Sequence, residues 1–349
     1  MSDSPDGRPG LAARSPEAVV AAANRLADEV LFPASLAVDN GERPASELLD
    51  VLAAEGLYGL YVPARYGGLG LGRDAGQLVM EQLASGCLTT TFVWAQHLST
   101  AAVVAEAGGP VHEEWARPLA EGSRRAGIAF SHLRRPDPPA LTVSPVKGGY
   151  RVDGRAPLVT GWGMIDAVHV AGRLGPDVIW LLVDAVESAT LAATRLELAA
   201  VNASATVALS FARHFVPGSR LTRVEPLAEW RRRDAEGLRT NGFLGLGVAR
   251  RCAALLGSEE VGRELDDLRS ALLGAPTSDV AAVRARVTRF TLEVAAALIA
   301  SLGGRSMVRD SDAQRLGREA MFLLVQGQTA TIRAAQLDEL GRSLEGRSP

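Results

Sequence analysis

Residues 141–154 read Leu-Thr-Val-Ser-Pro-Val-Lys-Gly-Gly-Tyr-Arg-Val-Asp-Gly and decide the fold class of this chain. Two short runs that contain β-branched residues flank Lys147-Gly148-Gly149-Tyr150, a pattern typical of a tight β-hairpin. Similar runs, split by turn residues and without a helical crossover, extend from Ile128 to Val216. We therefore expect a small antiparallel barrel or sandwich in the middle of the chain.

Helical patterns lie on both sides of this β-rich segment. Ser15-Pro16 is a good helix start, with Ser as the N-cap and Pro at the first helical position, and we expect this helix to stop at Pro33. A second helix, Pro44–Glu55, is expected to end at Gly56 in a left-handed cap. The other expected helices are Asp74–Leu88, Thr91–Ala107, His112–Gly122, Trp230–Leu256, Asp279–Leu302 and Asp312–Leu340.

The order of these patterns predicts an α+β fold in three parts. Residues 1–127 form an N-terminal helical domain, 128–217 a central antiparallel β-domain, and 218–349 a C-terminal helical bundle. A chain of 349 residues is long enough to divide its core between such parts. Three glycines within six residues, Gly242, Gly245 and Gly247, favour a close helix–helix approach in the bundle.

Composition and charge exclude several functional classes. The chain has 37 basic and 40 acidic side chains and no basic block, so nucleic-acid binding has no electrostatic support. Cys87 and Cys252 are far apart and have no ligand-spaced partner, which argues for a reducing compartment and against structural zinc. Residues 1–7 lack a signal-peptide pattern, and no uncharged apolar run reaches the ~20 residues of a membrane span. We expect a cytoplasmic protein that binds no membrane.

Four stretches in order resemble the acyl-CoA dehydrogenase family. They are the loop Gly56–Gly70 with its Tyr66-Gly67-Gly68, the run from His97 through residues 118–122 to Ser131, the segment Tyr150–Gly161, and the segment Leu302–Arg333. The resemblance implies FAD bound between the β-domain and the helical bundle, in a homodimer or homotetramer. It also implies an acyl-CoA or other acyl thioester as substrate.

The resemblance further implies which side chains contact the cofactor. Ser131 and Thr160 stand where the family's hydroxyls meet the flavin ring, because a hydroxyl can donate to or accept from the ring's nitrogens and carbonyls. Leu158 replaces a ring-packing aromatic, and Trp162 could supply a ring face in its place. The cofactor-binding positions are Phe130, Ser131, Leu158, Thr160, Trp162, Gly303, Gly304 and Gln328.

The catalytic base is the main departure from the family. Gln326 occupies the position where the family commonly has a catalytic Glu, and an amide cannot accept a proton at neutral pH. Some branches of the family place the Glu on the first long helix of the C-terminal bundle, close to Gly237 here. Glu236 is therefore a candidate for a relocated base, with Asp234 nearby. A shift of one residue turns a helical side chain by ~100°, which would point Glu236 away from the site.

Two more departures concern the ligands. Arg134 and Arg135 stand where the family has a Gly-Ser-Asp segment, and they are candidates for binding a phosphate or an acidic substrate. They could equally form a solvated loop. The family's Arg-x-x-Phe-Gly turn, which reaches the FAD pyrophosphate, has no counterpart between Leu256 and Pro276.

The four histidines near the predicted site do not suggest metal chemistry. His97 lies on a helix among apolar neighbours and is interpreted as structural. His132, His169 and His214 lie in or near the β-domain without a carboxylate at a readable spacing. No metal is assigned to them.

Three functions remain open at this point. The first is an FAD-dependent acyl-thioester dehydrogenase with a relocated base, which would pass electrons to an electron-transfer flavoprotein. The second is a flavin monooxygenase of the same fold, served by a flavin reductase. The third is a non-catalytic relative that binds flavin or an acyl thioester.

Overall fold

A computed structural model describes residues 14–135 and 137–345. Residues 1–7, on which the signal-peptide prediction rests, lie outside the described residues. The helices are α1 Pro16–Leu26, α2 Phe32–Asp39, α3 Ala45–Ala54, α4 Arg73–Gly86, α5 Leu88–Ala107, α6 Gly109–Glu121, α7 Leu227–Gly237, α8 Thr240–Leu256, α9 Glu259–Gly274, α10 Val280–Leu302, α11 Asp312–Val325 and α12 Ala330–Glu345. The strands are β1 Ala126–Ala129, β2 Leu141–Val146, β3 Gly149–Val159, β4 Ala167–Leu174, β5 Asp177–Asp184, β6 Leu191–Arg195, β7 Val207–Pro217 and β8 Leu221–Pro226.

The N-terminal helix starts as predicted but continues past its expected end. Ser15 Oγ accepts a hydrogen bond from the amide of Ala18 at 3.3 Å, and Pro16 is the first helical residue. The helix does not stop at Pro33: a π-helical turn, Ala27–Leu31, leads directly into α2. Pro33 then lies in the first turn of α2, where the wider turn before it makes the missing N–H less costly.

The central sheet is mixed, which corrects the purely antiparallel expectation. Its strands follow the order β6-β7-β3-β2-β4-β5-β8, and β1 pairs with β4. β1 arrives from the helical part of the chain and runs parallel to β4, and β2 pairs with β4 in parallel at Thr142 and Arg173. The predicted hairpin between β2 and β3 is confirmed, with Gly148 in the left-handed region at φ 83°.

Two of the long C-terminal helices predicted from periodicity are interrupted. The first breaks at Leu238–Arg239, which separates α7 from α8. The second breaks at Gln326, where ψ is 124°, and at Gly327, where φ is 59°; α12 starts at Ala330. Helix α9 was not anticipated and fills the segment where the family's Arg-x-x-Phe-Gly turn is missing.

The glycines of α8 allow the close packing that the sequence indicates. A Cβ added at Gly242 would lie 2.6 Å from Leu272 of α9, and one at Gly245 would lie 3.1 Å from Val287 of α10. A Cβ at Gly247 would lie 2.5 Å from the carbonyl oxygen of Glu81 in α4. Helix α8 is therefore held against three helices at nearly backbone distance.

One helical stretch of the described residues, Val280–Met307, is long and apolar enough to cross a membrane by length and composition alone. Core helices of soluble proteins pass the same test. This stretch packs against α8, α11 and α12 and contains the buried residues Val287, Phe290 and Leu298.

Candidate functional site

A cavity of ≈ 430 Å³ lies between α4, α5, α7 and α8 at the end of β1. Met80, Leu98 and Leu244 supply apolar parts of its wall. Its polar side chains are Tyr61, Arg73, Gln96, Ser99, Arg134, Asp234, Thr240 and Asn241. Burial raises the pKa of Tyr61 to about 12, so this phenol stays protonated.

The cavity wall carries a carboxylate that is held by a guanidinium. Arg134 donates from Nε to Oδ2 and from Nη2 to Oδ1 of Asp234, both at 2.8 Å. Both side chains are largely buried, with exposures of 18% and 14%. Such two-point pairing fixes the plane of the carboxylate as well as its position.

Helix phase selects Asp234 over Glu236 as the cavity carboxylate. Asp234 and Gly237, three residues apart on α7, both line the cavity, but Glu236 does not. A step of two residues turns a helical side chain by ~200°, so Glu236 points away from the wall that Asp234 occupies. From the sequence, Glu236 was expected to point away from the site. Asp234 lies instead on the face of α7 that lines the cavity.

A smaller cavity of ≈ 170 Å³ continues from the first. The two share Phe130 and Asp234 as wall residues. Trp180 of β5 and Trp230 of α7 close the smaller cavity, and both rings lie near Phe130, at centroid distances of 6.4 and 6.3 Å. The sheet and the bundle thus meet through aromatic side chains at this point.

Gln326 lies in the turn between α11 and α12, next to the cavity wall. Its side-chain Oε1 is buried and has no hydrogen-bond partner among the described residues. The following Gly327 packs so tightly on Asn241, a cavity residue, that an added Cβ would lie 2.2 Å from Nδ2 of Asn241. Gln326 itself is not a wall residue of either cavity.

Arg284 of α10 holds this turn through hydrogen bonds to its carbonyl oxygens. Its Nη2 donates to the carbonyl oxygen of Gln326 at 3.1 Å, and its Nη1 donates to that of Gly327 at 3.4 Å. Only 3% of Arg284 is exposed. Burial, together with the charge of Arg134, lowers the pKa of Arg284 to about 10, so it remains a cation at neutral pH.

Of the two hydroxyls predicted to contact flavin, one lacks a hydrogen-bond partner among the residues described and the other has one. Ser131 Oγ is buried and has no hydrogen-bond partner within the described part of the chain. Thr160 Oγ1 is buried and lies 3.2 Å from Thr206 Oγ1, which in turn lies 2.9 Å from Ser204 Oγ. A buried hydroxyl without a partner costs free energy, so Ser131 suits a ligand that supplies a polar group.

The remaining predicted cofactor residues are spread over three surfaces. Leu158 on β3 is 52% exposed, although it is a large apolar side chain, and Trp162 packs against the core of the sheet. Gly303 and Gly304 follow α10, and a Cβ at either would meet no atom within 4 Å. Gln328 donates to the carbonyl oxygen of Leu324 at 3.2 Å and to Gln336 Oε1 at 2.9 Å.

These features fit a flavin at this place in part. Leu158 is an exposed apolar side chain that a bound flavin ring would cover, and Ser131 has a hydroxyl without a partner in the described chain. Gly303 and Gly304 lie on a separate open surface after α10. By contrast, Gln328 already has partners inside the bundle.

The second predicted ligand-binding arginine is separate from the first. Arg135 is exposed and lines neither cavity, whereas Arg134 lines the larger one. The arginine pair of the sequence therefore contributes one residue to the site.

The histidines of the predicted site are mostly buried, and most of their contacts are structural. His97 lies 3.0 Å through Nε2 from the carbonyl oxygen of Leu119, and its Nδ1 accepts from the amide of Ala126 at 3.1 Å. Burial lowers the pKa of both His97 and His169 to about 3. His132 and His214 contact Ala171 and Thr190, respectively. In residues 14–135 and 137–345, no group of three or more His, Cys, Asp or Glu side chains could hold a metal.

Sequence reasoning missed Arg284 and gave too little weight to Asp234. Arg284 looks like any surface arginine in a helical pattern, because its burial depends on how α8, α9 and α10 pack. Asp234 could have been favoured by its spacing of three residues from Gly237, the position that the family resemblance points to.

Comparison with known proteins supports the family suggested by the sequence. Residues 14–123 match the family model described as acyl-CoA dehydrogenase, N-terminal domain. No curated protein matches this sequence.

Solved structures match nearly the whole fold. Butyryl-CoA dehydrogenase from Megasphaera elsdenii aligns with a TM-score of 0.78 at 17% identity, over 95% of this chain and 98% of that one. Glutaryl-CoA dehydrogenase from Mycobacterium smegmatis aligns with 0.77 at 18% identity, over 98% and 100%. PigA with FAD and proline aligns with 0.78 at 18% identity, over 96% and 98%. Residues 14–123 therefore match the N-terminal domain of the acyl-CoA dehydrogenase family, and the chain as a whole shares the fold of these solved structures.

Proposed function

We propose that the protein is an FAD-dependent oxidoreductase that introduces a double bond between the α and β carbons of an acyl thioester. The observation that carries this proposal is the carboxylate of Asp234 on the wall of a cavity that begins beside Phe130, next to the unpartnered Ser131. Structural neighbours were solved with FAD or FADH₂, and others are named as butyryl-CoA or glutaryl-CoA dehydrogenases.

Ser131 would hold the flavin through its free hydroxyl, and Leu158 and Gly303 would lie against the cofactor. Bound FAD would supply the oxidant, which takes the β-hydrogen with its electron pair. Side chains of the protein would remove the α-proton and stabilise the charge that develops on the substrate.

Asp234 is the residue that we propose as the base. A carboxylate oxygen takes the α-proton, and the electron pair left on the α-carbon forms the new double bond as the β-hydrogen leaves. Arg134 keeps the carboxylate aimed at the cavity through both of its oxygens. Once Asp234 is neutral, the charge of Arg134 is free to stabilise the negative charge that develops on the thioester oxygen.

We also propose that the protein works as a homo-oligomer and passes its electrons to an electron-transfer flavoprotein. Large apolar side chains are exposed on the bundle, which supports a subunit contact: they are Leu302, Met307, Val308, Met321 and Val325. One structural neighbour is named after the electron transferring flavoprotein of Acidaminococcus fermentans.

The proposal is tested by the visible spectrum of the purified protein, followed by anaerobic addition of acyl-CoAs. We expect a yellow protein whose flavin absorbance is bleached by a matching thioester. A colourless protein that does not take up FAD would overturn the proposal. Bound flavin that no thioester bleaches, but that consumes oxygen once reduced, would indicate the monooxygenase instead.

A further inference from the structure

Helix α7 carries the proposed base, but little of the helix itself is buried. Trp230 is the only buried side chain of α7, whose residues the structure describes throughout. The amide of Leu227 donates to the carbonyl oxygen of Pro176 at 2.9 Å, which ties the first turn of the helix to the turn between β4 and β5. Near the other end, a Cβ added at Gly237 would meet no atom within 4 Å. The position of Asp234 therefore depends on side-chain contacts with other elements.

Glu225 of β8 joins α7 to the sheet. Only 5% of this residue is exposed. Arg233 of α7 donates from Nη2 to Oε1 of Glu225 at 2.6 Å and from Nη1 to Oε2. Trp180 of β5 donates from Nε1 to Oε1 at 2.7 Å. Both carboxylate oxygens thus have partners, and two-point pairing sets the direction of the guanidinium as well as its distance.

Arg233 and Asp234 are consecutive residues, and their ion pairs lead to different elements. Arg233 pairs with Glu225 of β8, whereas Asp234 pairs with Arg134 in the turn after β1. A step of one residue turns a helical side chain by ~100°. The two ion pairs therefore hold α7 from two directions and fix its rotation about its own axis. This rotation decides which way the carboxylate of Asp234 points.

We propose that Glu225 is a positioning residue for the base, and that it acts through Arg233 without touching the substrate. Glu225 lines neither cavity, although both Arg233 and Asp234 line the smaller one. Without the charge of Glu225, the partly exposed Arg233 is released and α7 loses its ion pair with the sheet. Asp234 then remains on the wall but loses its fixed direction. This inference rests on the proposed function, because it assigns Glu225 a role relative to the base of that reaction.

The test is a double-mutant cycle of Glu225→Gln and Asp234→Asn, read by the rate of flavin reduction in anaerobic stopped flow. The probe is whichever of butyryl-CoA, hexanoyl-CoA and phenylpropanoyl-CoA reduces the wild-type flavin fastest. Glutamine keeps an acceptor for Trp180 but cannot form the ion pair with Arg233. We expect Glu225→Gln to lower the rate by about ten- to a hundredfold, because a misplacement of about 1 Å can cost 10²-fold. In the Asp234→Asn background, the same exchange should change the rate by less than about twofold, since no base is left to position.

Binding measurements separate positioning from a general loss of structure. The dissociation constant of the same thioester, from anaerobic isothermal titration calorimetry in the Asp234→Asn background, should change by less than about twofold on adding Glu225→Gln. Glu339→Gln on α12 is the matched control and should leave the rate of reduction unchanged. Glu339 accepts from Arg289 at 2.9 Å, is largely buried, and lines neither cavity.

A conservative exchange on the helix side of the contact gives a second variant. Arg233→Lys keeps the positive charge but not the fork of donors that matches a carboxylate. We expect a smaller loss of rate than in Glu225→Gln, and we expect it only while Asp234 is present. If Glu225→Gln does not fold, the cycle of Arg233→Lys with Asp234→Asn decides the question.

The outcomes separate this inference from the proposed function. If a thioester reduces the wild-type flavin and Glu225→Gln reacts at the wild-type rate, the function stands and the inference is wrong. If Glu225→Gln causes the same fold loss with and without Asp234, its role is structural and the inference is again wrong. If no thioester reduces the wild-type flavin, the proposed function is wrong and the positioning role is overturned with it.

Discussion

Arg134 and Asp234 are 100 residues apart in the chain, and their side chains meet through two parallel hydrogen bonds of 2.8 Å. The contact joins the turn after β1 to helix α7 and leaves the carboxylate on the cavity wall. The direction of the proposed base, Asp234, is therefore set from outside its own helix.

Replacing Asp234 by Asn should remove the base and keep the shape of the wall. We expect the rate of flavin reduction by a thioester to fall by about 10²–10⁴-fold, because general-base catalysis typically contributes that much. Stopped-flow absorbance measures this rate. Glu236→Gln, two residues away on the same helix but outside the cavity, is the matched control and should leave the rate unchanged. A loss in the control as large as that in Asp234→Asn would overturn the assignment.

Introducing a carboxylate at position 326 tests whether the family's usual base position is still usable. We expect Gln326→Glu to raise flavin reduction in the Asp234→Asn background, because the adjacent Gly327 packs on the cavity residue Asn241 and the turn is held by Arg284. Stopped-flow reduction of the double variant is the measurement. An unchanged rate with flavin still bound would mean that position 326 no longer faces the reacting carbons.

The unpartnered hydroxyl of Ser131 should contribute to flavin affinity. Removing it with Ser131→Ala should weaken FAD binding by up to about tenfold, the usual value of one neutral hydrogen bond. Ser144→Ala, on an exposed position of β2, is the control. Fluorescence titration of the apoprotein with FAD gives both dissociation constants, and equal values would exclude Ser131 from the cofactor site.

Buried His97 should make the protein less stable in acid. Its pKa is about 3 in the folded protein against an ordinary value of 6.5, so the unfolded chain binds more protons in that interval. The free energy of unfolding should therefore fall as the pH drops below 6.5, by up to about 1.4 kcal/mol per pH unit. We expect thermal melts between about pH 8 and pH 5 to show a shallower decline for His97→Gln. Parallel declines would show that His97 is not responsible.

Removing only one partner of the ion pair between Glu81 and Arg269 should lower the free energy of unfolding. Glu81 is fully buried in α4, and Arg269 of α9 donates to both of its oxygens, at 2.6 to 3.0 Å. Arg269→Ala should lower the free energy of unfolding by about 3–5 kcal/mol, because it strands a buried charge. Adding Glu81→Leu should recover part of this loss. Urea denaturation of the single and double variants measures it, and equal losses would contradict the explanation.

The sequence predicts those parts of the fold whose signals are local. The Ser15 cap, the left-handed Gly56 and the hairpin at Gly148 each follow from one or two residue types in a fixed order. Helix α9 and the break at Gln326 were missed, because both depend on contacts between distant segments. Arg269 of α9 pairs with Glu81 of α4, and Arg284 of α10 binds the carbonyl oxygen of Gln326.

The candidate site was predictable to a similar extent. Family resemblance brought out Ser131 and Gln326, and simple helix geometry cast doubt on Glu236. The burial of Arg284 behind the turn could not be read from the sequence, because it depends on how α8, α9 and α10 pack.

The glycine face of α8, formed by Gly242, Gly245 and Gly247, limits how the ligand preference of this protein can change. Gly247 lies against the backbone of α4, and Leu244, one turn earlier, is part of the wall of the larger cavity. Any side chain added at Gly247 would tilt α8 and move that wall as one rigid piece. New substrate preferences are therefore more accessible to evolution through single exchanges on α5 and α7, where side chains rather than main chain set the width of the cavity.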